Sequence, residues 1–192
     1  MSRRRSSPLP EALASQARAC VAVATQAAHF FRAPSEAGAY AVHQAGLQAR
    51  REAAAMTERG PRGREWRKIS RALAEAAQAQ AAGAAEAVRF GVADAPGLAA
   101  SCASLRDCGR EFGAALEALG DGPRCEALLV AAKRGALVAQ QRQRLARDAA
   151  LDAPDAVRDL KVRTVLRRLE AATEAWQQAV DCVVEVVGGG VG

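Results

Sequence analysis

Isoleucine and tyrosine occur once each in these 192 residues, tryptophan and histidine twice, and phenylalanine four times. With β-forming residues other than valine so scarce, a sheet has little to build from. No stretch approaches the roughly 18 uninterrupted apolar residues of a spanning helix. No Cys-x-x-Cys pair occurs among Cys20, Cys102, Cys108, Cys125 and Cys182, and the count is odd. Each lies in an Ala- or Val-rich stretch, which suits buried free thiols in a reducing compartment. A zinc site would need a closer group of soft ligands.

Catalytic constellations are equally sparse. Gly188 to Gly190 ends a helical pattern instead of opening one after a strand, so it is no phosphate loop. No Ser/His/Asp order is visible. His29, within Ala27-Ala28-His29-Phe30-Phe31, reads as a partly buried structural histidine, and His43, near Tyr40 and Gln44, as surface. The chain reads as not an enzyme.

What is abundant is alanine. Hydrophobic residues make up 50%, yet Leu, Ile, Val and Phe together number 37. Alanine is the best helix former but buries little area, so its helices must pack closely along their length. Pro and Gly divide the chain at Pro8 and Pro10, Pro34, Gly60-Pro61-Arg62-Gly63, Asp94-Ala95-Pro96-Gly97, Gly120 to Pro123, Asp152 to Asp155 and Gly188. Six helices are expected, over about 10–32, 36–58, 64–92, 97–119, 123–150 and 155–187. Ser35, Asp94 and Asp155 stand where N-caps are needed. Leu98, Cys102, Leu105, Gly109, Phe112, Leu116 and Leu119 make one stripe; Val162, Val165, Leu169, Ala172, Trp176, Val180, Val183 and Val187 make another. Short links make neighbouring helices antiparallel. Val183, Val184, Val186 and Val187 mark either a core or an oligomer seam.

Segment three, Arg71-Ala72-Leu73-Ala74-Glu75-Ala76-Ala77, echoes segment six, Arg167-Arg168-Leu169-Glu170-Ala171-Ala172-Thr173, at half the chain length. The expected organisation is all-α: a disordered basic tail (1–9), a three-helix half (10–93), a second three-helix half (97–187) and a Gly-rich tail (188–192). The Arg- and Ser-rich start fits a transit peptide in composition and a disordered tail better, while Glu11, Gln16 and Arg18 interrupt any signal-peptide core. Cytoplasm is the default.

Charge is uneven. The net charge is +6, with 14 Lys/Arg against 8 Asp/Glu in residues 1–96 and 13 of each in 97–192. Such a surface suits nucleic acid, anionic lipid, phosphate or an acidic protein, or is simply solvated. Arg64, Lys68 and Arg71 share one face near a helix N-terminus, an arrangement suited to an anion. The Lys/Arg–aromatic alternation of a single-strand groove is lacking, and the segments are too long for a helix-turn-helix. Glu170 and Glu174 share a face of the last helix. Two carboxylates four apart can chelate a cation when a facing helix adds ligands, or can simply be solvated acids.

The helix order, the turn Gly60-Pro61-Arg62-Gly63-Arg64-Glu65-Trp66 and the last-helix run Leu160-Lys161 to Leu169-Glu170-Ala171-Ala172-Thr173-Glu174 resemble the PhoU-like phosphate-transport regulators. The resemblance spans about 10–187. It implies two tandem three-helix bundles, an accessory role in inorganic phosphate transport and a phosphate permease or its regulatory partner as the contact. It also implies acidic motifs that hold metal clusters. Glu170 and Glu174 match the last of these, with Glu in place of Asp. The third-helix positions are Ala74 and Gln78 with Glu75 alongside, the second helix offers Gln44-Ala45-Gly46, and 135–141 holds no acid. The expectation is a degenerate metal site and no cofactor, with partner contact through Arg64, Lys68 and Arg71. The alternatives are a metal-binding bundle using Glu170, Glu174, Glu75 and His43, or a basic nucleic-acid-associated bundle. A homo-oligomer fits either reading.

Overall fold

The computed structural model describes residues 8–55, 63–151 and 155–188. Residues 1–7, 56–62, 152–154 and 189–192 lie outside that range, and with them most of both expected tails and Pro61; positions 8 and 9, expected in the basic tail, instead open the first helix, and Gly188, expected in the Gly-rich tail, ends the last one. Six helices account for nearly all the rest: α1 (Pro8–Arg32), α2 (Glu36–Ala55), α3 (Gly63–Phe90), α4 (Leu98–Glu117), α5 (Gly122–Leu151) and α6 (Ala156–Gly188). Among the described residues there is no strand, and no helix is long and apolar enough to cross a membrane.

The helix ends follow from local chemistry. Ser35 Oγ accepts from the Gly38 N–H at 3.1 Å, and Asp155 Oδ1 from Val157 and Arg158 N–H at 2.9 and 3.0 Å. Both are the expected caps. Asp94 is not: α4 begins after Gly97, and Asp94 Oδ1 instead accepts from Arg158 Nη2 at 2.9 Å, joining the chain midpoint to α6. The third helix stops at Phe90, earlier than expected, because Gly91 turns left-handed (φ 65°). Its N–H reaches Val88 O, and that of Val92 reaches Ala87 O, the paired bonds of a Schellman stop. Gly97 is needed twice over. Its φ is 85°, and a Cβ there would lie 2.6 Å from Ala146 Cβ of α5.

Contacts between named residues give the directions. Gln16 meets Ser70 and Cys20 meets Leu73, so α1 and α3 run the same way. Arg18 meets Glu117 while Val21 sits by Gly109, so α4 runs against α1. Gly83 lies against Leu169, and Lys68 near Cys182, so α6 opposes α3. In each half every helix packs on the other two; α1 also packs on α4 and α3 on α6. The buried side chains form one cluster drawn from all six helices.

Both expected stripes face this core, with Leu119 and Val187 at its margin. Val183 and Val186 are buried and Val184 is exposed, so two of the C-terminal valines belong to the core. Trp176 and Phe112 meet edge to face at 5.7 Å near its centre. Elsewhere small residues let backbones approach: a Cβ on Gly135 would lie 3.1 Å from Cys108 Cα. Helix α2 is the least embedded, giving Val42 and Ala49 to the hydrophobic core.

His29 departs from its expected setting. Ala27, Ala28, Phe30 and Phe31 turn inward, and the intervening histidine is exposed. All five cysteines are free, four of them buried and Cys182 half-buried. Burial pushes the Cys20, Cys102 and Cys108 thiols up to about 12. A thiol raised from 9.0 holds its proton in the folded chain where the unfolded chain has lost it, so its contribution falls as pH rises from 9 towards 12. Denaturation midpoints are expected to fall across that window, and less steeply in a variant with Ala at these three positions. At neutral pH, iodoacetamide on the native protein should modify Cys182 first and reach Cys20, Cys102 and Cys108 only after unfolding, as peptide mapping would show.

Candidate functional site

The inward positions of α3 dictate its outward ones. Trp66, Ile69, Ser70 and Leu73 are buried, so Arg64, Arg67, Lys68 and Arg71 emerge together on the opposite side. They line a groove of about 520 Å³ whose far wall includes Ala53 of α2. Its base is fixed by a buried reciprocal pair: Ser70 Oγ donates to Gln16 Oε1 and Gln16 Nε2 donates to Ser70 O, both at 2.7 Å. The three expected contact residues thus line one groove on a helix whose other face is buried.

A second groove, about 670 Å³, continues from the first between α3 and α6. Lys68, Arg71 and Glu75 form one side; Glu174, Asp181 and Glu185 stand on the other. Arg71 Nε donates to Glu75 Oε1 at 2.9 Å. On half-buried Cys182 the nearby Lys68 lowers the thiol pKa, but burial and the acids Glu185 and Asp181 raise it further, so the net direction is up. The basic face therefore borders an acidic ridge on α6.

The three carboxylates expected to share a site are divided. Glu75 and Glu174 line the α3–α6 groove, whereas Glu170 and Glu174 line a cleft of about 200 Å³ between α5 and α6. In that cleft Glu170 is ion-paired with Arg147 of α5, a cross-helix partner that neighbours within α6 do not foreshadow. Each of Glu75 and Glu170 thus has a guanidinium as its closest charged partner, which opposes a cation. His43 is exposed on α2. Among the described residues no group of three or more His, Cys, Asp or Glu is placed to hold a metal ion.

The residues of α5 in this cleft were not expected as site residues. Gln140, Gln143, Arg144 and Arg147 belong to the polar run 140–147. The available signal was Gln143 itself, four residues after Ala139 and three before Ala146, on the stripe that faces the core. Its Nε2 reaches Ser101 Oγ, Leu169 O and Thr173 Oγ1, tying α4 and α5 to α6.

No family model and no curated protein matches the chain.

Proposed function

We propose that this protein is a non-enzymatic accessory protein of inorganic phosphate transport. It docks through the α3 basic face onto an acidic cytosolic surface of a phosphate permease or of the permease's regulatory partner. The observation that carries the reading is the convergence of Arg64, Lys68 and Arg71 in one exposed groove on a helix whose other side is anchored in the core. The resemblance of the helix order and of the last-helix run Leu169-Glu170-Ala171-Ala172-Thr173-Glu174 to PhoU-like regulators suggests the class of partner. A cationic groove against an acidic partner gives register and fast encounter, and weakens with salt. The protein acts in the cytoplasm and reaches the membrane only through that partner.

The test is capture of the permease from its own cell extract by the tagged protein. Replacing Arg64, Lys68 and Arg71 together by glutamine should abolish capture. Thermal stability should stay nearly unchanged, since exposed substitutions usually move stability by about 0.5 kcal/mol or less. Undiminished capture by the triple variant, or failure of the parent protein to capture a permease, overturns the reading.

A further inference from the structure

The α5–α6 cleft is lined by side chains of both charge signs and by a buried glutamine whose carboxamide oxygen has no partner among the described residues. Gln143 is fully buried and lines this cleft. The two hydrogens on its Nε2 are shared among three acceptors, Ser101 Oγ at 2.9 Å, Thr173 Oγ1 at 2.8 Å and Leu169 O at 3.1 Å. A main-chain carbonyl only accepts, so Leu169 fixes which end of the amide faces it. The other end, Oε1, is buried and has no donor among the described residues. Arg147 and Glu170 neutralise one another. Arg144 and Glu174, from facing helices, line the same cleft and have no ion-pair partner among the described residues.

The geometry points to a binding site for a small zwitterion of the free α-amino-acid type. Two guanidinium groups and two carboxylates leave the cleft without net formal charge. A net anion such as inorganic phosphate would meet Glu170 and Glu174, and a divalent cation would meet Arg144 and Arg147. A molecule carrying both signs satisfies the cleft: its carboxylate on Arg144, its ammonium on Glu174. The carboxamides of Gln140 and Gln177 at the rim can donate or accept towards its side chain. The volume, about 200 Å³, lies below the roughly 300–1,000 Å³ of drug-sized sites and suits a molecule of amino-acid dimensions. This cleft shares no residue with the α3 basic groove, but Glu174 and Gln177 also line the α3–α6 groove that continues from it, whereas Arg144 lines the cleft without lining either groove.

The experiment is calorimetric titration of the full chain with each standard free L-amino acid singly, with inorganic phosphate and magnesium chloride alongside. At least one amino acid should bind at a single site. Its N-acetyl and carboxamide derivatives should bind about tenfold more weakly or worse, each having lost one charged end. Arg144→Gln and Glu174→Gln should each weaken binding to a similar degree while the circular-dichroism melt stays in place. Failure of every amino acid to bind the folded protein overturns the assignment. So does binding that both substitutions leave unchanged, and so does tighter binding of phosphate or magnesium than of any amino acid.

Discussion

Trp176→Ala is expected to destabilise the fold by about 3–5 kcal/mol, the usual range for truncating a fully buried tryptophan. The indole has no exposed surface, lies edge-on to Phe112 and closes against Gly109 of α4. Alanine there removes apolar contact from α4 and α6 at once and leaves a cavity the small neighbouring residues cannot fill. A domain of this kind has in all about 5–15 kcal/mol, so the variant should unfold at a much lower urea concentration. Trp176→Phe should cost far less. It keeps the ring, and it removes the indole N–H, which is buried with no acceptor among the described residues. If the alanine variant unfolds within 1 kcal/mol or so of the parent, α4 and α6 do not meet through this side chain.

Gly109→Val should be the second most damaging change, at about 3 kcal/mol, the upper end of ordinary overpacking. A Cβ at Gly109 would lie 2.7 Å from Val21 Cγ2 and 2.9 Å from Trp176 Cζ2 and Cη2. Those atoms belong to α1 and α6, and neither is a flexible end free to swing aside. Gly109→Ala should be milder, because the clash is offset by about 1 kcal/mol of helix propensity. Combining Gly109→Val with Trp176→Leu should relieve part of the penalty, giving a favourable coupling in a double-mutant urea-denaturation cycle. Strict additivity would place the two residues apart.

Much of this architecture is legible before any coordinates. Pro and Gly punctuation locates six helices to within a few residues, and the stripes on α4 and α6 identify the side chains that reach the core. The sequence is less informative where contact partners decide the outcome. Asp94 has the chemistry of a cap, yet Gly97 starts α4 and Arg158, 64 residues on, takes the carboxylate. His29 sits among apolar letters, but a helix turns each successive residue by about 100°, and the exposed side is its own. Glu170 and Glu174 are correctly placed on one helix. That Glu170 would face Arg147, and Glu174 stand across from Arg144, depends on the register of α5 against α6, which no local pattern encodes. The basic groove was readable because its three side chains lie on a single helix.

Helix α2 gives the core two fully buried hydrophobic side chains, Val42 and Ala49, with Ala39 and Ala45 packed at its margin, and its Ala53 walls the cationic groove. It has the fewest fully buried residues of the six helices, so amide hydrogen exchange is expected to be faster along α2 than along α3, α4 or α6. One wall of that groove is thus set by the helix with the smallest share of the core, and a change that shifts α2 is expected to alter what Arg64, Lys68 and Arg71 can grip.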